Sequence, residues 1–394
     1  MRKLVFIATY FVTGCAIHGP KLTPVSHLAY NEAVQVSEQR ELLLNLVRLR
    51  YNDAPQFLAI SSISSQLRFG ASASLGGVFG KDAGDATDLV APSGTVDYSE
   101  SPTVTFSPMR GEEFTKRLVT PVKLDSLMLL TRYGWSLERT LPMFVEELNG
   151  TVNWLPRDRA SADDQLSAAR FTGLSKLFAS LNDLGLVEFG CKDQYASTGQ
   201  IIDAEKVRAS DLLAAHAQGF RFERQSETGP YELQVRARQC SLRITPSGLA
   251  DTQVQLMLAQ MRLKPGLGEY DLDTESAARG LPTDTLHIRT RSVLGVMAYV
   301  AHGIGVPRAV RGQDFPVASI NGGYASPVPL AVRNSPTEPA DSFIAVQYRG
   351  HWFYVENGDL ESRRTLGVLA SLMRLEITAG GATEIPVLTI PVAR

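Results

Sequence analysis

From Ile63 to Phe79 the chain alternates without a break. The odd positions read Ile63, Ser65, Leu67, Phe69, Ala71, Ala73, Leu75, Gly77 and Phe79; the even positions read Ser64, Gln66, Arg68, Gly70, Ser72, Ser74, Gly76 and Val78. Apart from Ser65 the first set is apolar or Gly, and apart from Val78 the second is polar or Gly. Period two marks a strand with one dry face and one wet face. Residues 80–94 form a polar tip rich in Gly and Asp, and then the alternation resumes. Val96, Tyr98, Pro102, Val104 and Phe106 share a side with Glu100, while Thr95, Asp97, Ser99, Ser101, Thr103, Thr105 and Ser107 hold the other. Residues 60–108 therefore read as one long β-hairpin. Its first arm is about 55 Å long at about 3.3 Å per residue, whereas globular strands usually have about five or six residues.

The N-terminus says where such a hairpin would work. Arg2 and Lys3 precede a short apolar run, Leu4 to Val12, followed by the small residues Thr13 and Gly14. The run is too short for a membrane-crossing helix, which needs about 20 residues, and its order is that of an export signal. Val12-Thr13-Gly14-Cys15 resembles the lipobox of bacterial lipoprotein precursors. That resemblance implies a diacylglycerol on the Cys15 thiol, cleavage just before Cys15 and acylation of the new amino terminus. It makes residues 1–14 a signal peptide, and Ala16 in place of Asp implies the outer membrane, with the body in the periplasm or at the cell surface. Several acyl chains anchor durably, at about 0.8 kcal/mol per buried CH2. Residues 15–27, with two prolines, read as a lipidated tether.

The apolar side of the hairpin needs a cover. Ile63, Leu67, Phe69, Ala71, Ala73, Leu75, Phe79, Val96, Tyr98, Val104 and Phe106 are the candidate face. A membrane-crossing barrel strand needs about 9–11 residues of apolar/polar alternation. Some secretion-channel lipoproteins, such as the curli-export channel, contribute one hairpin per subunit to a shared barrel; this chain is similar in pattern and shares no motif with them. Glu100 and Pro102 interrupt the apolar side, and Pro102 lacks a ladder donor. Packing on the protein's own domain or on a sister subunit is therefore placed ahead of lipid. The expectation is an oligomerisation element, with membrane insertion as its extreme form.

The rest of the chain can bury a core. It has 394 residues, 44% of them hydrophobic and 20% charged, with a net charge of −2, which excludes a disordered chain and a helical membrane protein. No basic block points to nucleic acid. With Cys15 assigned to lipid, Cys191 and Cys240 are left as a candidate disulfide in an oxidising compartment.

The fold class is α+β. Residues 29–51 read as a helix with Val36, Leu43, Leu44, Val47 and Tyr51 on one face and Pro55 as its stop. Short helices follow the hairpin as far as Asn153, and a longer helix covers 161–184. Strands are expected at "LVEFG", "GFRFERQS", "PYELQVRARQCSLRI" and "DTLHIRTR", helices at "ASDLLAAHAQG", "SGLADTQVQLMLAQMRL" and "SVLGVMAYVAHGI", and long loops at 264–285 and 305–341. "DSFIAVQY" and "HWFYVEN" flank the tight turn Arg349-Gly350, and a helix carrying Leu366, Leu369, Ala370, Met373 and Ile377 on one face closes the chain. The expected divisions of the body are 28–155, 156–263 and 264–394. "LLLNLVRLRYNDAPQFL" together with "YRGHWFYVENGDLESRRTL" resembles a group of uncharacterised exported bacterial proteins, a resemblance that brings no function with it.

Motifs for catalysis are missing. HExxH and GxSxG do not occur, and His18, His27, His216, His287, His302 and His351 show no ligand spacing. Asp271, Asp273 and Glu275 alternate, but without a Ca2+ loop around them they read as a solvated loop. Trp352, Tyr354 and Tyr348 are a candidate carbohydrate-stacking patch, with core or cross-strand packing the commoner use of such residues. No cofactor, metal or enzymatic activity is expected. Two function classes follow: an oligomeric structural or assembly lipoprotein, as a component of a transport or secretion complex, and an envelope enzyme or ligand-binding protein acting on cell-wall or carbohydrate material.

Overall fold

A computed structural model of the chain describes residues 19–78, 89–153, 162–274, 283–307 and 328–377. These residues form an α+β protein in two compact units, one of the described residues within 1–55 and 112–380, the other of those within 56–111. Within the second unit the hairpin is described.

The first unit begins with helix α1 (Gly19–Arg50). It starts ten residues earlier than the helix expected at 29–51 and takes in most of the segment expected to be a tether. Pro20 lies in the first turn, where a missing N–H costs no helical bond. Leu42, Leu43, Leu46, Val47 and Tyr51 are buried, whereas Val36 is exposed and Leu44 half-buried, so the stripe is rotated from the expected one. Asn52, at φ 56°, ends the helix in a left-handed turn ahead of Pro55.

After the hairpin come α2 (Glu112–Val119), α3 (Leu124–Arg132) and α4 (Leu137–Phe144). The last was expected to run further. Pro142 lies inside it, and "VEEL" turns instead into strand β3 (Val145–Leu148), followed by β4 (Thr151–Val152). Helix α5 (Ala162–Asp183) leads to β5 (Val187–Ile202), α6 (Ala209–Ala217), β6 (Phe220–Arg224) and β7 (Tyr231–Ile244). The single helix expected near 247–263 is two: a turn, α7 (Pro246–Leu249), and α8 (Thr252–Gln260), whose cap Asp251 accepts from the N–H groups of Gln253 and Val254. Strand β8 (Glu269–Asp273), β9 (Thr285–Thr290) and α9 (Val293–Ala301) follow.

Seven of these strands form one sheet in the order β4-β3-β9-β8-β7-β5, with β6 also on β7. All pairs are antiparallel except β8 with β9. The sheet crosses the divisions expected after 155 and 263, because β3 pairs with β9 and β7 with β8. A three-stranded sheet, β10 (Arg333–Ser335), β12 (His351–Val355) and β11 (Ile344–Tyr348), and helix α10 (Leu360–Ile377) complete the unit. Arg349 and Gly350, at φ 47° and 78°, make the expected tight turn. On α10 the buried set is Ser362, Thr365, Leu366, Val368, Leu369 and Leu372, with Ala370 and Met373 half-buried.

A buried polar cluster holds the junction of α4 and β3. Arg291, 3% exposed, donates to the carbonyls of Pro142 (3.0 Å), Met143 (3.3 Å) and Val145 (3.0 Å). Its guanidinium also lies 4.3 Å from the ring centre of Tyr299. Asn153 donates to the carbonyls of Pro142 and Val145. The cation therefore sits against carbonyls at a helix C-terminus, where positive charge is favoured. By contrast, from Glu188 to Cys240 the chain is regular β-ribbon and helix, yet no residue there is buried.

Candidate functional site

The second unit is built around two strands, β1 (Leu58–Val78) and β2 (Leu89–Pro108), paired antiparallel along their whole length. Both are longer than the alternation indicated, and β2 begins at Leu89 inside the stretch expected to be tip. Residues directly opposite in such a ladder share a face. The register pairs Ile63 with Val104, Leu67 with Glu100, Phe69 with Tyr98, Ala71 with Val96, Ala73 with Gly94 and Leu75 with Pro92. It thus brings ten of the eleven candidate residues to one side; Phe79 lies outside the described residues, as does Cys15.

One feature was not foreseen. The register shifts between Ile60 and Ser62, so that Ile60 pairs with Phe106 and Leu58 with Pro108. An extra residue reverses the alternation. Leu58 and Ile60, at even positions, therefore join the odd-numbered apolar side. At the base of this side Leu58 is 48%, Val104 39% and Phe106 50% exposed, and Ile60 is half-buried. On the hydroxyl side Ser107 is buried and Thr103 and Thr105 half-buried near the base, and exposure begins further out. Thr95, Asp97 and Ser99 are exposed, and the Ser72 and Thr95 hydroxyls meet at 2.6 Å across the strands. Among the described residues neither strand pairs with a third.

Cys191 and Cys240 face each other in the β5–β7 ladder, and their sulfurs are bonded. Cys191 lies within β5, not after it. The Asp125 carboxylate and the two sulfurs lie within 4.8 Å of one another. They make no ligand set, since the sulfurs are joined and Asp125 accepts from Arg238 at 2.9 Å. Arg238 also donates to Asp193 at 2.9 Å, and Arg236 pairs with the same carboxylate. Hydrogen bonds from Arg238 and then Arg236 hold the Asp193 carboxyl below its usual range.

The aromatic patch is divided by its own register. Tyr348 pairs with His351, on the side of the buried Phe353 and Val355, while Trp352 and Tyr354 point to the opposite side. Tyr348 packs edge-on against Tyr51 at 5.5 Å, and its hydroxyl donates to Asp53. Arg349 donates to the same carboxylate at 2.8 Å. Burial and then the Asp53 hydrogen bond push the Tyr348 hydroxyl up from its ordinary pKa. Segments 42–58 and 348–366 thus meet here, through Tyr51 and Asp53 on one side and Tyr348 and Arg349 on the other.

The acids Asp271 and Asp273, expected in a loop, lie on β8, where the alternate residues Tyr270 and Leu272 are buried; Glu275 lies outside the described residues. "EYDLD" is a period-two strand whose acids lie on the wet side.

A groove of about 570 Å3 in the first unit is lined by Ser136, Glu138, Arg139, Lys176, Glu361 and Arg364 among others. Arg139, its side chain 10% exposed, pairs with Glu361 and donates to Thr365 Oγ1 at 3.1 Å; Arg364 reaches Glu361 at 3.3 Å. A pair of carboxylates working as acid and nucleophile needs both groups open to substrate. Here Glu361 is already occupied by two guanidiniums. No sequence signal marks Arg139, since its partners are more than 220 residues away.

Fold and site together define an α+β protein carrying a two-faced β-hairpin as a unit of its own. No known family, curated protein or solved structure matches the chain. Among the described residues no helix is long and apolar enough to cross a membrane.

Proposed function

We propose that this protein is an outer-membrane lipoprotein with a structural or assembly role, anchored through lipid on Cys15 and oligomerising through β1 and β2. The observation that carries the reading is the hairpin ladder. Some twenty residues per strand pair in register, the apolar positions fall on one side, and Val104 and Phe106 on that side are exposed in the single chain. A two-stranded sheet is at best marginally stable in water. Exposed contiguous apolar surface marks an interface. A second copy of the same hairpin supplies both an apolar side and a strand edge. A place in a transport or secretion complex of the envelope accords with this arrangement, and nucleic acid is no part of it.

The mass of the detergent-extracted, lipidated particle tests the reading. A particle of several subunits is expected. A monomer in mild detergent with a protease-resistant hairpin would overturn it. The groove at Arg139 and Glu361 supports a second reading, an envelope enzyme or ligand-binding protein acting on cell-wall or carbohydrate material. The engagement of Glu361 by two arginines weighs against its hydrolytic form.

A further inference from the structure

The hairpin is not uniform along its length. Outward from the base, the apolar side carries the rows Leu58/Pro108, Ile60/Phe106 and Ile63/Val104, then Ser65/Pro102 and Leu67/Glu100. Beyond Glu100 it carries Phe69/Tyr98, Ala71/Val96, Ala73/Gly94, Leu75/Pro92 and Gly77/Val90, with no charge on either strand. The opposite side of the same outer segment reads Arg68/Ser99, Gly70/Asp97, Ser72/Thr95, Ser74/Ser93 and Gly76/Ala91. The apolar side is thus split by Glu100 into a base and an outer band. Glu100, which counts against lipid when the face is taken as a whole, instead marks where the outer band begins.

From this register we infer that the outer band, Phe69–Gly77 with Val90–Tyr98, crosses the bilayer as one chain's share of a β-barrel closed by further copies. The inference rests on the assembly reading and goes a step past it. Three observations carry it. The first is length: nine residues at about 3.3 Å give about 30 Å, and a barrel tilt of about 40° reduces this to about 23 Å, close to the apolar belt of about 25 Å on such barrels. The second is chemistry. Apolar and small residues alternate with hydroxyls, Gly and Asp97 across the strand, the pattern of a lipid-facing and a lumen-facing side. The third is what flanks the band. The aromatic row Phe69/Tyr98 is followed by Glu100 at one end, and Lys81 and Asp82 follow in sequence beyond the other. Aromatic residues at the border, with charge outside it, fit a bilayer boundary.

Backbone groups also have to be satisfied. In hydrocarbon an open strand edge is not tolerated, and among the described residues β1 and β2 each have one edge without a strand partner. A lone hairpin therefore cannot enter lipid. A ring of copies, β1 of one beside β2 of the next, can. Within the band Pro92 is the only missing ladder donor.

The test uses the full-length lipidated protein with the Cys191–Cys240 bridge intact. Single cysteines replace Ala71, Ala73 and Val96 on one side and Ser72, Ser74 and Thr95 on the other. Each variant is placed in liposomes of phosphatidylethanolamine and phosphatidylglycerol and exposed to a water-soluble maleimide, and its particle mass is measured in mild detergent. The expected result is a multi-subunit particle in which Ser72→Cys, Ser74→Cys and Thr95→Cys label, while labelling is lost at Ala71→Cys, Ala73→Cys and Val96→Cys. A multi-subunit particle in which both sides label equally would overturn the bilayer crossing and leave the assembly reading standing. A monomer would overturn both.

Discussion

Tyr299 is fully buried on α9, against the guanidinium of Arg291. Burial pushes its hydroxyl up to about 12, with Arg291 pulling weakly the other way. In the unfolded chain a tyrosine ionises near 10. The stability tied to this group is therefore fully present below about pH 10 and is lost as pH rises towards about 12, at about 1.4 kcal/mol per pH unit. Burial raises Tyr51 and Tyr270 in the same direction. Urea unfolding at pH 8 and pH 11 should show Tyr299→Phe losing less stability between the two than the wild type, by roughly 1 kcal/mol. An unchanged difference would disprove the assignment. None of this was legible in the sequence. Arg291, Asp53 and Arg139 have no periodicity around them, and what defines them is a partner far along the chain: Pro142, Tyr348 and Thr365 respectively. Cys191 and Cys240 could be paired because elimination left only two thiols.

Elements with a clean repeat were readable. Strand β7 lies within one residue of the expected 230–244, and the hairpin was visible because a two-sided ladder leaves period two in the sequence. The failures share a cause. Strand β8 is five residues long between Gly-rich segments, and its two aspartates look like a loop until the neighbouring β7 and β9 give it sides. The shift at Ser61 is a single inserted residue, and nothing local shows which parity will win. For the β5–β7 ribbon, alkylation under denaturing, non-reducing conditions should find neither Cys191 nor Cys240 reactive. Closing a loop of this length stabilises by about 4 kcal/mol in the chain-entropy model. Denaturant melts with and without reductant should differ by up to that amount. Two reactive thiols per chain before reduction would mean there is no bridge.

For the molecule as a whole, anchor and hairpin make separate predictions. Cys15→Ser should abolish incorporation of a palmitate analogue and leave the precursor uncleaved. Equal label in wild type and variant would sink the lipid anchor without touching the hairpin. Leu67→Asp puts a second carboxylate in the row that already holds Glu100. Like charges directly opposite each other destabilise the strand pairing. Light scattering should show a shift towards monomers, while circular dichroism keeps the helical signal of the first unit. Unchanged mass would mean that this row is not in the interface. Fold class could be read from the whole chain because helices and strands left different periods; the division into units could not, because the seven-stranded sheet is assembled from segments as distant as β3 and β9.

The ribbon from Glu188 to Cys240 holds no buried residue and is joined by a disulfide between Cys191 and Cys240. Such a stretch opens locally at little cost and is where a protease would cut first. The bridge alters what a cut means. Severed anywhere between the two sulfurs, the chain stays one covalent molecule, held together until a reductant reaches it. Damage there would be silent on a non-reducing gel and appear as two fragments on a reducing one, so a nick in this ribbon does not part the two halves of the chain.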